Sequence, residues 1–318
     1  MTNREWFKQA RYGMMIHFGL YSVAAGEWKG RRMPYIGEWM QSYFRIPCAE
    51  YEQLARAFNP IFFNAEDWVR AAMDAGMQYM VVTSKHHEGF ALFKSAYDRY
   101  NSVDGTPFGR DIVAELAEAC YKHGMKLGLY YSEEFDWHEK DGGGYGTDAK
   151  NEGMSWCNDW DFPDRAEKCY TRYFESKVKT QMKEILTRYG ELCLVWCDTP
   201  CDISPAQSRE LYEMIKQYQP NCLVNSRIGN GEGDYRSWGD NEFPDAYMAE
   251  GLYETPATLN DTWGFKYYDD NWKSPERVRE LREHLNSRGI NYLLNVGPDH
   301  LGRIPAPALE ILREAAPR

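Results

Sequence analysis

Three observations predict a (β/α)8 barrel. Short runs of strand length alternate with helix-periodic segments along most of the chain. The runs are apolar almost without interruption, as strands covered on both faces of a parallel sheet must be. Polar or ionisable residues recur just past their ends, at His17, His86, Tyr131, Asp198 and Arg227, on the rim where such barrels keep their chemistry. An open doubly wound sheet would place a phosphate-binding glycine fingerprint after its first strand, and His17-Phe18-Gly19 is not one.

The elements follow in order. Tyr12–Gly19 opens as a short apolar strand that ends at His17, and a Gly-, Pro- and aromatic-rich stretch runs on through Glu38-Trp39-Met40. A helix fits 66–75, with Trp68, Val69, Ala72 and Met73 on one face and Gly76 as its stop. Tyr79–Ser84 is the second strand and runs straight into Lys85-His86-His87-Glu88-Gly89. Asp111–His123 reads as a helix closed by Gly124. Lys126–Tyr131 is the third strand, and the loop of about thirty residues after it is long enough to be functional or mobile. A long helix fits 164–188. Leu192–Asp198 is the most apolar strand, with Leu194, Trp196 and Asp198 on one face. A helix over 204–218 and a strand at 222–225 follow, then the Gly-rich loop 227–241. Periodicity is poor from there to Trp272, with a strand placed only near 257–259, so the sixth and seventh units are expected to be irregular. Helix 275–288, strand 291–296 and a helix near 306–313 complete the pattern.

The 318 residues are 43% hydrophobic and 27% charged, an ordinary composition for a large core. One catalytic barrel domain over residues 1–318 is expected, with no β-sandwich after it. The net charge of −11 favours neither nucleic acid nor an anionic membrane as partner. No signal-like apolar segment opens the sequence, and no run approaches ~18 apolar residues, so a cytoplasmic protein is expected. The eight cysteines lie mostly in apolar patterns and read as buried thiols. Cys193, Cys197 and Cys201, four apart, lack the close pairing of a structural zinc site. Oligomeric state is not legible.

Asp198 ends its strand at a turn, placed either for catalysis or to cap the next helix. His86 and His87 are adjacent, so both can point inward only if the backbone bends there; otherwise one or both serve structure or surface. A metal-dependent hydrolase using this pair is a third possibility, although no helical HExxH motif accompanies it. Carboxylates crowd the loops past the strands: Glu38, Glu133, Glu134, Asp136, Asp198, Asp234, Asp240 and Glu242. Two carboxyl groups facing across a sugar, one ionised and one protonated, are what glycoside hydrolysis requires. The 11 Trp and 23 Tyr suit stacking on sugar rings. Arg227 is placed to hold a carboxylate or a sugar hydroxyl, or to make a plain salt bridge.

Several stretches stand together in order: Arg11-Tyr-Gly-Met-Met-Ile-His17-Phe-Gly, Gly37-Glu38-Trp39, Ser84-Lys-His86-His87-Glu-Gly-Phe, Tyr130-Tyr131-Ser132, Asp136-Trp137, Val195-Trp196-Cys-Asp198 and Leu293-Leu-Asn-Val-Gly-Pro298. Through them the chain, over about residues 5–305, resembles the α-L-fucosidases of glycoside hydrolase family 29. The resemblance implies a distorted (β/α)8 barrel and an exo-acting, retaining double displacement on terminal α-L-fucosyl linkages of a fucosylated oligosaccharide or glycoconjugate, with no metal or other cofactor. It makes Asp198 the nucleophile. It lines the fucose pocket with His17, Glu38, Trp39, His86, His87, Tyr131, Trp196 and Arg227, and puts Trp263 near the 6-methyl group. Met15 stands where many members have Phe, which reshapes the expected methyl pocket. The acid/base varies most within the family. Glu242 is expected to fill that role, on a glycine-rich loop beside Trp238 and Phe243 that could shield it from water, with Asp234 and Asp240 as competitors. A non-catalytic fucose-binding barrel is the alternative from another class.

Overall fold

The computed structural model describes residues 2–317. Eight parallel strands follow one another around a barrel: β1 (Tyr12–Ile16), β2 (Tyr79–Lys85), β3 (Lys126–Tyr131), β4 (Leu194–Cys197), β5 (Leu223–Val224), β6 (Arg236–Ser237), β7 (Tyr253–Thr258) and β8 (Ile290–Val296). β8 pairs with β1. The opposite seam is closed by a parallel bridge between Asn225 and Tyr235, just past β5 and just before β6.

Every strand residue of β1, β2, β4 and β8 is buried, which is why these strands read as unbroken apolar runs rather than alternating ones. The interior is packed by Met15, Tyr79, Val81, Tyr130, Leu194, Trp196 and Leu293. Residues of the other parity, including Met14, Met80, Leu129, Tyr131 and Val195, join the outer layer under the helices. Trp6 and Phe7, on the helix Asn3–Ala10, pack against Tyr79 and Tyr235 and fill one end of the interior.

The expected helices form at Ala65–Asp74, Ile112–His123, Pro205–Tyr218, Pro275–Ser287 and Ala306–Glu314. The segment 164–188 begins later than its periodicity suggests. Asp164 caps a single turn, Arg165–Glu167, after which Lys168 is extended and sends its ammonium to the carbonyls of Lys140 and Asn158. The helix proper starts at Tyr170 and passes through a π-helical stretch, Phe174–Val178.

The irregular units are the fifth and sixth, not the sixth and seventh. β5 and β6 are two residues each, with only a 3-10 turn, Ser226–Ile228, between them and no helix before β7. The strand expected near 257–259 is β7, which starts four residues earlier. Buried Glu254, Thr255 and Thr258 break its apolar signal. All eight cysteines are unpaired. Among the described residues no helix is long and apolar enough to cross a membrane.

Candidate active site

A pocket of about 250 Å³ opens at the C-terminal ends of the strands. Asp198 leaves β4 directly into it, and is only 8% exposed. Each carboxylate oxygen has its own donor: Tyr130 Oη donates to Oδ2 at 2.9 Å and Arg227 Nη1 to Oδ1 at 2.9 Å. His87 Nε2 stands 3.8 Å from Oδ2. The Asp198 amide donates to Glu133 Oε2 at 2.8 Å, so main chain and side chain are both fixed.

The two donors to Asp198 belong to one stack. The rings of His86, Tyr130 and Trp196 lie nearly parallel, 14° and 18° apart at centroid separations of 5.4 and 5.5 Å. The Arg227 guanidinium sits 4.6 Å from the Trp196 ring centroid, a favourable arrangement of cation on π-face. Trp196 is pinned by its edge, where Nε1 donates to the buried Glu254 at 2.9 Å and Tyr79 donates to the other oxygen of the same carboxylate at 2.6 Å.

Both histidines of the adjacent pair face the pocket. The bend this requires is present: strand register shifts between Thr83 and Lys85, and a turn closes from His86 to Gly89 with Gly89 at φ +79°. Behind the turn, buried Asp136 takes Lys85 and Lys177 at 3.2 and 2.9 Å, and these cations hold its carboxyl well below the usual range. Burial pushes His17 down to about 4 and His86 and His87 well below the ordinary imidazole value, so all three are neutral near pH 7. Their tautomers follow from their partners. Ser132 donates its hydroxyl to Phe135 O, so the 2.7 Å contact makes His87 Nδ1 the donor to Ser132. Asn295 donates to Trp263 O and offers its oxygen to His17 Nδ1 at 2.7 Å. His17 and His87 therefore turn an Nε2 lone pair to the pocket, suited to accept from hydroxyls. His86 Nδ1 is buried without a partner.

Glu38, on the turn Gly37–Trp39, accepts the Gly264 amide at 2.8 Å, and burial pushes its carboxyl up to about 7. Trp39 sets its edge against His87, Trp263 lies 5.2 Å from His17, and Met15 completes an apolar side. Of the expected residues, the structure thus gathers His17, Glu38, Trp39, His86, His87, Trp196, Asp198, Arg227 and Trp263 around one cavity.

Two expectations are corrected. Tyr131 does not line the pocket: it points outward with 0% exposure, and its hydroxyl donates to Gln181 at 2.9 Å. Its neighbour Tyr130 points inward, in register with Trp196. Glu242 is also outside. It is exposed, and its carboxylate turns back onto the Gly239 amide at 3.0 Å. Trp238 and Phe243 do not enclose it; they pack toward Tyr253 and Tyr292. Asp234 is engaged by Lys216, Tyr212 and the Val224 amide. The carboxylate of this loop that reaches the pocket is Asp240, whose side chain is 49% exposed and is held by Arg227 Nη2 at 2.5 Å.

Sequence reasoning also missed the outer wall. A small hairpin, Lys150–Asn151 paired with Met154–Ser155, brings Lys150, Asn151 and Trp156 to the mouth, and no periodic signal marks it. Glu134, Cys201 and Asp202 lie close enough to suggest a cation site. Their carboxylates are already occupied: Glu134 accepts the amides of Cys201, Asp202 and Ile203, and Asp202 those of Gly144, Tyr145 and Gly146. Such amide donors fit an anion, and the cluster ties the loop after β3 to the loop after β4.

The alpha-L-fucosidase family model matches residues 1–316. Tissue alpha-L-fucosidase of Rattus norvegicus is 30% identical over 94% of the chain. The chain spans 64% of that relative's length and 62% of a putative alpha-L-fucosidase from Caenorhabditis elegans, also 30% identical. Among solved structures, alpha-L-fucosidase AlfC from Lactobacillus casei with α-L-fucose product superposes with a TM-score of 0.95 at 53% identity, covering 98% of this chain and 96% of that one. An alpha-L-fucosidase from Vibrio sp. strain EJY3 gives 0.90 at 35% identity, covering 98% and 54%. With a matching fold and a family match over residues 1–316, the chain belongs to the α-L-fucosidase family.

Proposed function

We propose that the chain is a retaining, exo-acting α-L-fucosidase in which Asp198 is the nucleophile and Asp240 the acid/base. One observation carries the assignment of roles: a single guanidinium, Arg227, holds both carboxylates at the rim of a buried pocket. A site that only bound fucose would need no such pair. In the first step Asp198 attacks the anomeric carbon, the glycosidic bond breaks, and Asp240 gives its proton to the leaving oxygen. In the second step Asp240 takes a proton from water. Water attacks the ester, releasing α-fucose and regenerating Asp198.

The neutral imidazoles of His17, His86 and His87 suit the neutral hydroxyls of a fucosyl group better than a charged substrate. Trp263 and Met15 offer apolar contact to a methyl group. The L. casei relative has been solved with Fucα(1,6)GlcNAc and with 4-nitrophenyl α-L-fucopyranoside, which supports a fucosylated glycan as substrate here. This route runs without a metal. The test is an Asp198→Gly variant on 4-nitrophenyl α-L-fucoside: turnover should fall by several orders of magnitude, and azide should partly restore it with β-fucosyl azide as product. Near-normal turnover would refute the assignment, as would β-fucose appearing first in an NMR time course of the wild type.

A further inference from the structure

Glu133 sits just past β3 and lines no part of the pocket, yet it touches the nucleophile's main chain. Its side chain has 0% exposure. Oε2 accepts the Asp198 amide at 2.8 Å, and Oε1 is buried without a donor. An ionised carboxylate there would leave charge on an oxygen that nothing stabilises. Among the described residues no cation pairs directly with this carboxyl, whose one hydrogen bond is the Asp198 amide. Asp198 and Glu134 add negative charge, while Tyr130, Tyr131, Tyr170 and Cys197 are uncharged neighbours. Tyr170 donates to the Glu133 carbonyl and not to its carboxyl. Lys85 is engaged by Asp136 and Tyr173.

We propose that Glu133 is a positioning residue for the nucleophile: an uncharged carboxyl that fixes the main chain at Asp198 by accepting its amide, and that places no second negative charge beside the attacking carboxylate. The proposal rests on Asp198 being the nucleophile. Burial, the largest cause, pushes the Glu133 carboxyl well above the usual carboxylate range, and the Asp198 charge acts in the same direction. Fixing the amide fixes where the Asp198 side chain leaves the strand. A shift of about 1 Å in a reacting group can cost about 100-fold in rate.

Glutamine has the shape of a neutral glutamic acid and separates positioning from charge. On 4-nitrophenyl α-L-fucoside, Glu133→Ala should lower kcat by about 10- to 100-fold with KM changed by less than about 3-fold. Glu133→Gln should rescue kcat to within about 3-fold of wild type and leave the acid limb of kcat/KM in place, since no charge beside Asp198 has been removed. A wild-type kcat for Glu133→Ala overturns the proposal. So does an acid limb that falls by about half a pH unit or more in Glu133→Gln, because that is the signature of a charge lost next to Asp198. If the alanine variant does not fold, the thermal comparison decides. The Tm of Glu133→Gln relative to wild type should rise from about pH 5 to about pH 8, because only wild type must hold a proton as pH increases; a constant difference overturns the neutral carboxyl. That measurement involves no catalysis. It keeps failure of this proposal distinct from failure of the nucleophile assignment, which the azide experiment reports.

Discussion

The adjacent tyrosines at the end of β3 allow a sharp test, because they differ in direction and in little else. Tyr130 donates to Asp198 at 2.9 Å, and Tyr131 donates to Gln181 at 2.9 Å on the far side of the strand. Removing a hydrogen bond to a charged group costs about 1.5–3 kcal/mol. Were all of this expressed in the transition state, kcat/KM of Tyr130→Phe would fall about 10- to 150-fold at about 1.4 kcal/mol per decade. Tyr131→Phe leaves Gln181 with one unsatisfied oxygen in the outer core. That costs about 1–3 kcal/mol of stability, seen as a Tm lower by several degrees, with kcat/KM within about 3-fold of wild type once folded protein is normalised. The assay is steady-state hydrolysis of an aryl fucoside from about pH 4 to 9, paired with thermal unfolding. Equal activity losses in the two variants, or a near-normal Tyr130→Phe, would refute the stack as the support of the nucleophile.

Other outcomes follow from the same geometry. Asp240→Ala should cripple fucosides with poor leaving groups, spare the first step on activated aryl fucosides and remove the basic limb of the pH profile, whereas Glu242→Ala should do none of these. Chelators should leave turnover unchanged, and restoration by added zinc or manganese would move the assignment toward a metal hydrolase. Stability should peak in mildly acidic to neutral solution. Burial raises Glu38, Glu88 and Glu254 to about 7; with folded values above the ordinary 4.5, their contribution is full below about pH 4.5 and is lost as pH rises through about 7. His17, lowered to about 4, works in the other direction, contributing above its ordinary 6.5 and losing that contribution as pH falls through about 4. Glu38→Gln should therefore flatten the alkaline side of a Tm profile, and a steeper alkaline side would contradict the buried, protonated acid.

What the sequence revealed and what it hid divide along physical lines. β1, β2, β4 and β8 are legible because both of their faces are covered, so composition alone marks them. Their C-terminal residues were legible for the same reason: a polar residue that ends such a run must sit at the rim. Parity is harder. Alternation along Leu192–Asp198 puts Trp196 and Asp198 on one face, and both line the pocket. At Tyr130-Tyr131 two identical residues straddle the wall, and only a pairing partner can say which is inside. The partner is Trp196, in register with Tyr130. Leu127 and Leu129 offered a signal: they flank Gly128 on the outer parity, where helices cover the sheet, while a Cβ at Gly128 would lie 2.6 Å from the Leu194 side chain. Reading bulk outward and glycine inward points Tyr130 into the barrel.

The proposed acid/base, Asp240, was hidden for a different reason. It lies beyond the two shortest strands, where the chain goes from β5 to β7 with no intervening helix, so no period fixes the direction of side chains between Ser237 and Tyr253. In the sequence, flanking Trp238 and Phe243 favour Glu242 because they could shield its carboxyl from water. Adjacent aromatic residues need not cover the carboxyl beside them, and here both turn to the body of the barrel. The constraint that selects the residue is instead long-range. Arg227 already faces Asp198 from the 3-10 turn past the next strand, and its second nitrogen is satisfied by the carboxylate that the loop returns to it, Asp240. The proposal of Asp240 over Glu242 therefore rests on the geometry of one guanidinium. Arg227→Lys exposes that choice, because a lysine presents a point charge and cannot span two carboxylates as a planar fork does. It should lower kcat by at least about 10-fold on aryl fucosides, the scale of one lost charge-assisted hydrogen bond, and blur both limbs of the pH profile. A variant with both limbs intact would show that the two carboxylates act without a shared cation.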